Sequence, residues 1–379
     1  MTEERPIVLS RPWFDEAETE HLSRALAGKV AGDGPFCRRV ERRLEQQLAS
    51  PRVLLTTSCT HALELALMAL GVGPGQEVIV PSFTFVSTAN AVLRAGARPV
   101  LADIEERSLG LDPEDVERRI TPRTKALLPV HYAGIACDME PLLDIAARHG
   151  LKVVEDAAQG LGASLDGRPL GSLSDAGCFS FHETKNITCG EGGALALRDP
   201  EVAQRAEVIR EKGTNRSAFL RGEVDKYTWI AEGSSYVLSD LLAAVLDAQL
   251  DKQEEIARRR SRIAARYRAE LADWARSHGV RLPAELPGRV VNHHIFYLLL
   301  PDAHAQAACL ASLRSRGIGA TFHYVPLHSA PFGQGMEQGG SAFPVTEHIA
   351  GTLVRLPLHP LLDEADVSRV IHAVRESLE

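Results

Sequence analysis

Lysine is scarce in this chain of 379 residues, occurring at positions 29, 125, 152, 185, 212, 226 and 252. Lys185 follows the apolar run Gly177-Cys178-Phe179-Ser180-Phe181 and precedes a loop containing Gly190, Gly192 and Gly193. An amine beside such surface loses proton affinity and can form a Schiff base with a carbonyl. Asp156 closes Lys152-Val153-Val154-Glu155, where a carboxylate can pair with a cationic ring nitrogen. Gln159, three residues on, faces the same side if Asp156 opens a helix. Ser58, Cys59 and Thr60 form a hydroxyl-rich turn before a helical pattern, and unpaired N–H groups with the helix dipole suit a phosphate there. Singly, each has a plainer reading: Ser58 or Thr60 as a helix cap, Asp156 as a turn residue, Lys185 as a surface charge. Together they are what a protein must supply to pyridoxal phosphate. Phe83 and Phe85 offer a ring to stack on it.

The elements that must carry these residues are read from apolar spacing. Asp15–Leu26 and Phe36–Leu48 predict surface helices, the second after the turn Asp33-Gly34-Pro35. Beyond them the pattern alternates. Strands are expected at Arg52–Leu55, Glu77–Val80, Arg98–Ala102, Ala126–Val130 and Lys152–Val154, and helices at His61–Leu70, Ser87–Ala95 and Met139–His149. Alternation of this kind predicts an α/β fold with a mostly parallel sheet, whose working residues collect at strand ends. A long helix over Leu238–Leu271 is expected to link two domains: a large α/β domain, residues 1–250, including the N-terminal helical segment, and a small C-terminal α+β domain, residues 251–379. In the second, His294–Leu300 and Thr321–Val325 read as strands, 302–316 and 363–378 as helices, and Gly333–Gly340 as a glycine-rich loop.

Composition narrows the function classes. The chain is 45% hydrophobic and 24% charged with net charge −8, which argues against a broad nucleic-acid footprint. Its six cysteines are scattered without a C-x-x-C pair, excluding a zinc ribbon or disulfide scaffold by spacing. His293, His294, His323 and His328 fit no metal-ligand motif, so no metal is expected. Met1–Arg11 lacks an apolar core and no apolar run spans a bilayer, so no membrane association and a cytoplasmic location are expected.

With these residues in view, the chain resembles the DegT/DnrJ family of nucleotide-sugar aminotransferases over nearly its whole length. The stretches that carry the resemblance are TTSCTHALELA (56–66), VPSFTFVSTANA (80–91), PVHYAGIACDM (129–139), VVEDAAQG (153–160), GCFSFHETKN (177–186), REKGTNRSAFLRGEVDKYTW (210–229), GSSYVLSDL (233–241) and FHYVPLH (322–328). The resemblance implies a fold-type I pyridoxal phosphate-dependent transferase with a seven-stranded-type sheet. It implies Lys185 as the Schiff-base lysine and proton carrier, Asp156 on the ring nitrogen, and Gln159 near the ring hydroxyl. Cys59, Thr60 and Ser180 are then phosphate ligands, and Phe85 stacks on the ring. Many members have Gly-Tyr-Asn-Tyr where this chain has Gly233-Ser234-Ser235-Tyr236; there the Asn reaches the neighbouring subunit's phosphate, and Ser235 takes that place with a shorter reach. Asn215, Arg216, His323 and Tyr324 match segments near the substrate. Arg216, Arg221 or Lys226 suits a diphosphate, and Arg355 suits a glutamate carboxylate.

The same resemblance implies a homodimer with shared sites, L-glutamate as donor and a nucleotide-linked keto sugar as acceptor. The expected acceptor is dTDP-4-dehydro-6-deoxy-D-glucose, giving dTDP-4-amino-4,6-dideoxy-D-galactose and 2-oxoglutarate. A nucleotide-linked 4-keto pentose or another dTDP-4-keto sugar is the alternative, since a methyl group is discriminated by only about 1–3 kcal/mol. A sugar dehydratase of the same fold carries histidine in place of the lysine, so Lys185 favours transamination. An NAD-dependent dehydrogenase needs G-x-G-x-x-G after its first strand, whereas Gly71-x-Gly73-x-Gly75 precedes a strand. A non-catalytic, pyridoxal phosphate-binding regulator would need a DNA-binding domain, for which no residues are left.

Overall fold

The computed structural model describes residues 5–336 and 342–378. Two helices come first, α1 (Glu16–Leu26) and α2 (Pro35–Leu48). α1 opens on a capping box in which Asp15 and Glu18 each accept the other end's backbone N–H. α2 begins at Pro35, whose missing N–H costs nothing in a first turn. Strands and helices then alternate: β1 (Arg52–Thr56), α3 (Cys59–Ala69), β2 (Glu77–Pro81), α4 (Val86–Arg94), β3 (Arg98–Ala102), α5 (Pro113–Arg119), β4 (Thr124–Leu127), α6 (Met139–His149) and β5 (Lys152–Asp156). A short pair, β6 (Ser164–Leu165) and β7 (Arg168–Pro169), leads to β8 (Ala176–Ser180) and β9 (Gly193–Leu197). Four helices follow, α7 (Pro200–Arg210), α8 (Arg216–Leu220), α9 (Asp240–Asp251) and α10 (Gln253–Ser277).

These strands form a seven-stranded sheet in the order β1-β9-β8-β5-β4-β2-β3. Its pairs are parallel except that β9 runs antiparallel to both β1 and β8. Helices cover both faces, so β2 and β9 are buried at every position; β9 is an unbroken apolar run, and β2 is apolar after Glu77. Reversal of β9 lets the loop after β8 fold back over the sheet edge, and this loop carries Lys185.

The C-terminal part contains β10 (Arg289–Val290), β11 (Phe296–Leu299), α11 (Ala303–Ser315), α12 (Pro331–Gln334), α13 (Pro344–Thr352), β12 (Leu353–Leu356) and α14 (Glu364–Arg375). β11 and β12 pair antiparallel. Their apolar faces join α10, α11 and α14 in a second core, into which Ile7 from the N-terminal segment is also packed. A bridging cluster of Phe83, Tyr132, Tyr297, Ile349 and Leu353 ties this part to the large sheet.

Three expectations are adjusted. The helix expected over Leu238–Leu271 is two helices, α9 and α10, separated at Lys252, whose amine ties the turn to Asp15 (2.9 Å) and Glu18 (2.8 Å) of the first helix. The strand expected at Thr321–Val325 reduces to one bridge between Thr321 and Arg355; His323 and Tyr324 line the site, and the segment pairs with no further strand among the described residues. Of the glycine-rich loop at Gly333–Gly340, Gly333 and Gln334 end α12, and residues 337–341 lie outside the described residues.

Candidate active site

A cavity of about 510 Å³ opens where β1, β5 and β8 end, beneath the segment 322–325 and β12. Its wall includes Ser58, Cys59, Thr60, Phe85, Asp156, Gln159, Ser180, Lys185, His323 and Tyr324, so one cavity gathers ten of the residues singled out above.

The floor begins at the β1–α3 turn. Ser58 is the N-cap of α3 and accepts from the His61 N–H at 3.2 Å. The N–H groups of Cys59 and Thr60 have no carbonyl one turn back, so the dipole and two donors are left for an anion. The Thr60 hydroxyl donates to Ser87 Oγ at 2.8 Å, which brings a second hydroxyl to the rim. Gly193 makes this cradle possible: a Cβ there would sit 2.4 Å from the Ser58 backbone, so only glycine lets β9 press against the turn. Ser180 ends β8 on the same side.

Asp156 ends β5 and is buried. Its oxygens accept from the Thr88 hydroxyl (2.9 Å) and the Ala158 N–H (3.1 Å), and Thr88 is itself bonded to Thr84 (2.8 Å). Among the described residues no ion pair reaches this carboxylate. Burial raises its pKa, and the Thr88 and Ala158 bonds oppose that rise. A buried carboxylate that accepts two neutral donors and has no ion-pair partner among the described residues is a receptor for a cation. The neighbouring Lys185 amine has its own pKa lowered, chiefly by burial, against the attraction of nearby acidic groups. Gln159 accepts from the Ala133 N–H (2.7 Å) and donates to the Tyr324 hydroxyl (3.1 Å), which fixes its amide. Phe85 flanks the cavity with its ring 57% exposed, a free face on which a flat ring can stack.

Phosphate cradle, cation-seeking carboxylate, exposed aromatic face and weakly basic lysine line a single cavity, so the residues present fit pyridoxal phosphate. Thr88→Val should therefore weaken cofactor binding about tenfold, the worth of a hydrogen bond to a charged group. Loss of that bond raises the Asp156 pKa further. Affinity needs the carboxylate ionised, so it is present above this pKa and lost as pH falls through it; acid release in the variant moves to higher pH. Cofactor absorbance after gel filtration across a pH series reads both effects, and an unshifted acid limb would contradict the role of Thr88.

Five expected residues lie elsewhere. Asn215 caps α8, accepting from the Thr228 N–H and donating to the Lys226 carbonyl. Arg216 is paired with Glu211 and Asp33, and Arg221 with Glu207 and Glu223, so neither guanidinium is free for a diphosphate within this chain. Lys226 is exposed on the same arm, away from the cavity. Ser235 is also exposed and bridges to Glu211 rather than facing the cavity of its own chain. Sequence reasoning missed Thr84, Ser87 and Thr88, which the structure adds beside Asp156 and Thr60. The four-residue spacing of Thr84, just before α4, and Thr88, in its first turn, was an available signal. His294 was singled out only as a possible metal ligand; it lines the cavity and bonds to Asn186, one residue after Lys185. Arg355 also lines the wall, from the middle of β12.

Residues 12–375 match the DegT/DnrJ/EryC1/StrS aminotransferase family. The spore coat polysaccharide biosynthesis protein SpsC of Bacillus subtilis (strain 168) is 34% identical over 377 residues, covering 97% of this chain and 96% of SpsC. DesV of S. venezuelae, solved in complex with a ketimine intermediate, is 35% identical with a TM-score of 0.89, covering 98% of this chain and 99% of that one. DesI, solved in the presence of its TDP-sugar product, is 31% identical with a TM-score of 0.89, over 98% and 93% of the two chains. No helix among the described residues is long and apolar enough to cross a membrane.

Proposed function

We propose a specific reaction for this chain, which belongs to the DegT/DnrJ/EryC1/StrS aminotransferase family and is a pyridoxal phosphate-dependent sugar aminotransferase. It transfers the amino group of L-glutamate to C4 of dTDP-4-dehydro-6-deoxy-D-glucose, forming dTDP-4-amino-4,6-dideoxy-D-galactose and 2-oxoglutarate. The observation that carries this reading is the single cavity in which Lys185, Asp156, the α3 N-terminus and Arg355 meet. The TDP-sugar product of DesI supports the nucleotide.

Pyridoxal phosphate, when bound, supplies an electron sink for the pair left as the donor's α C–H bond breaks. The chain's own residues do the rest. Asp156 holds a proton on the ring nitrogen by charge. The Cys59 and Thr60 N–H groups, with Ser58 and Ser180, hold the phosphate. Lys185 Nζ, lowered in pKa and so able to exist as free amine, would take the donor's α-proton and deliver it across the bridging nitrogen to the cofactor's former aldehyde carbon. Arg355 binds the donor's carboxylate, because its Nε is buried without a partner among the described residues. Arg355→Ala should raise the apparent Kd for L-glutamate by about tenfold to a hundredfold, the worth of a charge-assisted hydrogen bond or two. Its affinity for the keto sugar should be unchanged; a glutamate titration matching wild type would remove Arg355 from the donor site.

The working unit in this reading is a homodimer with shared sites. Its support is the outward-facing Ser235 and an arm that exposes Leu220 (62%), Tyr227 (56%) and Trp229 (76%), apolar surface suited to a second copy. A cytoplasmic location is supported by six unpaired, buried thiols. The test is in two steps. L-Glutamate should bleach the visible band of the holoenzyme and release 2-oxoglutarate. The aminated enzyme should then be reoxidised by the dTDP-4-keto-6-deoxyhexose, faster than by a UDP-linked 4-keto pentose. Bleaching without reoxidation by any 4-keto sugar nucleotide would end the proposal for the acceptor.

A further inference from the structure

A carboxylate anchor works only if its guanidinium is held still, and Arg355 has no acidic partner to hold it: its one side-chain hydrogen bond among the described residues goes to a histidine. The backbone of Arg355 exchanges hydrogen bonds with Thr321 (Arg355 N–H to Thr321 O, 2.8 Å; Thr321 N–H to Arg355 O, 3.4 Å), which lays the following residues beside β12. Arg355 Nη1 then donates to His323 Nε2 at 3.4 Å. Arginine offers only donors, so Nε2 must be the bare nitrogen of the ring. The ring proton therefore sits on Nδ1 and donates to the Tyr132 hydroxyl oxygen at 3.0 Å. Burial first, and the Arg355 charge next, push the His323 pKa down to about 2, so the ring stays neutral throughout the working range.

Tyr132 is the fixed end of this chain of bonds. It is fully buried, with its ring 5.2 Å from that of Phe83 and 6.1 Å from that of Tyr297, in the cluster that joins the two cores. With Nη1 turned to His323, the opposite edge of the guanidinium is left over. That edge carries Nε and Nη2, the two parallel donors that match a carboxylate in bidentate geometry. Nε is the atom found buried without a partner.

We infer that His323, anchored by Tyr132, is a positioning residue that turns the Nε–Nη2 edge of Arg355 toward the carboxylate of the amino donor. It acts on the donor half-reaction. This inference rests on the reading of Arg355 as the donor anchor, and the experiment separates the two.

The holoenzyme is titrated with L-glutamate, and the aminated holoenzyme with the keto sugar nucleotide, following cofactor absorbance in each half-reaction. His323→Leu removes the acceptor and should raise the apparent Kd for glutamate about tenfold, with the Kd for the sugar unchanged. His323→Gln returns an acceptor oxygen near the place of Nε2 and should recover most of the loss. Tyr132→Phe removes only a hydroxyl from a packed ring and should raise the glutamate Kd about threefold, a part of one hydrogen bond. In an Arg355→Ala background His323→Leu should cost nothing further, because the group it positions is gone.

Additive losses in the double variant would overturn the inference while leaving Arg355 as the anchor. So would a loss confined to the sugar half-reaction, or a failure of the glutamine variant to recover. A normal glutamate Kd in Arg355→Ala itself would refute the anchor and the positioning together. Where His323→Leu lowers cofactor content, Tyr132→Phe carries the same test.

Discussion

Lys185→Ala should lose steady turnover by about four orders of magnitude, the upper range for removal of a positioned acid–base group, while its unfolding transition stays near wild type. The fold has little stake in this side chain: Lys185 stands in the loop after β8, part-exposed to the cavity, and no hydrogen bond or ion pair of its amine helps to hold the loop among the described residues. The chemistry depends on it twice, as the nucleophile that captures the cofactor's carbonyl and as the proton carrier at the donor's α-carbon. Borohydride treatment followed by intact mass measurement should show cofactor fixed to the wild type and none fixed to the variant. Lys185→Arg should fail equally, since a guanidinium remains protonated and cannot attack a carbonyl.

The pH dependence follows from the sign of the shift. Burial lowers the Lys185 pKa from the ordinary 10.5, and only the neutral amine is a nucleophile. The rate of cofactor capture by the apoprotein should therefore rise with pH, with a midpoint below 10.5. A midpoint at or above that value would mean that the amine faces bulk water and is not the reactive group, as would near-normal turnover in Lys185→Ala.

What the sequence revealed divides by the range of the interaction. The strand Arg98–Ala102 and the helix Met139–His149 follow from local apolar spacing and are found at those positions, and the strand expected at Lys152–Val154 is found extended to Asp156. The reversal of β9 does not: its apolar run Gly193–Leu197 reads alike in either direction, and only pairing with β1 and β8 sets its sense. The break at Lys252 depends on Asp15 and Glu18, more than two hundred residues away in the chain. The cofactor residues were legible because they sit at, or in the loops just after, the ends of strands or at the starts of helices, and those ends converge on one side of the sheet.

The arm residues are paired within the chain for an electrostatic reason. Arg216 and Arg221 look like anion ligands in sequence, but Glu211, Asp33, Glu207 and Glu223 neutralise them in the folded chain. Thr88 could be placed beside Asp156 only once β5 and α4 were packed together.

Asp156→Asn is the sharper test of the electronic part of the site. The substitution keeps the volume and two polar atoms of the side chain, so Thr88 Oγ1 can still donate to the amide oxygen at the position it uses now. The negative charge is lost, together with the oxygen that now accepts the Ala158 N–H, and the cationic ring nitrogen is then buried without its partner. Removing one member of a buried ion pair costs about 3–5 kcal/mol, which is roughly two to three and a half orders of magnitude in rate or binding. Turnover should fall by that factor, and cofactor affinity should be weak across the pH range, without the acid limb that protonation of Asp156 gives the wild type. A cofactor analogue methylated on its ring nitrogen, which is cationic without help, should restore part of the rate in Asp156→Asn and add nothing to wild type. That pairing separates charge from shape: an Asn variant as fast as wild type would show that the ring nitrogen needs no counter-charge, and a slow variant indifferent to the methylated analogue would make Asp156 a packing residue. The buried environment makes the first outcome physically costly, because burial already raises the Asp156 pKa and the fold opposes that rise with Thr88 and the Ala158 N–H. Two neutral donors aimed at a buried carboxylate favour its ionised form, the form that pairs with a cationic ring nitrogen.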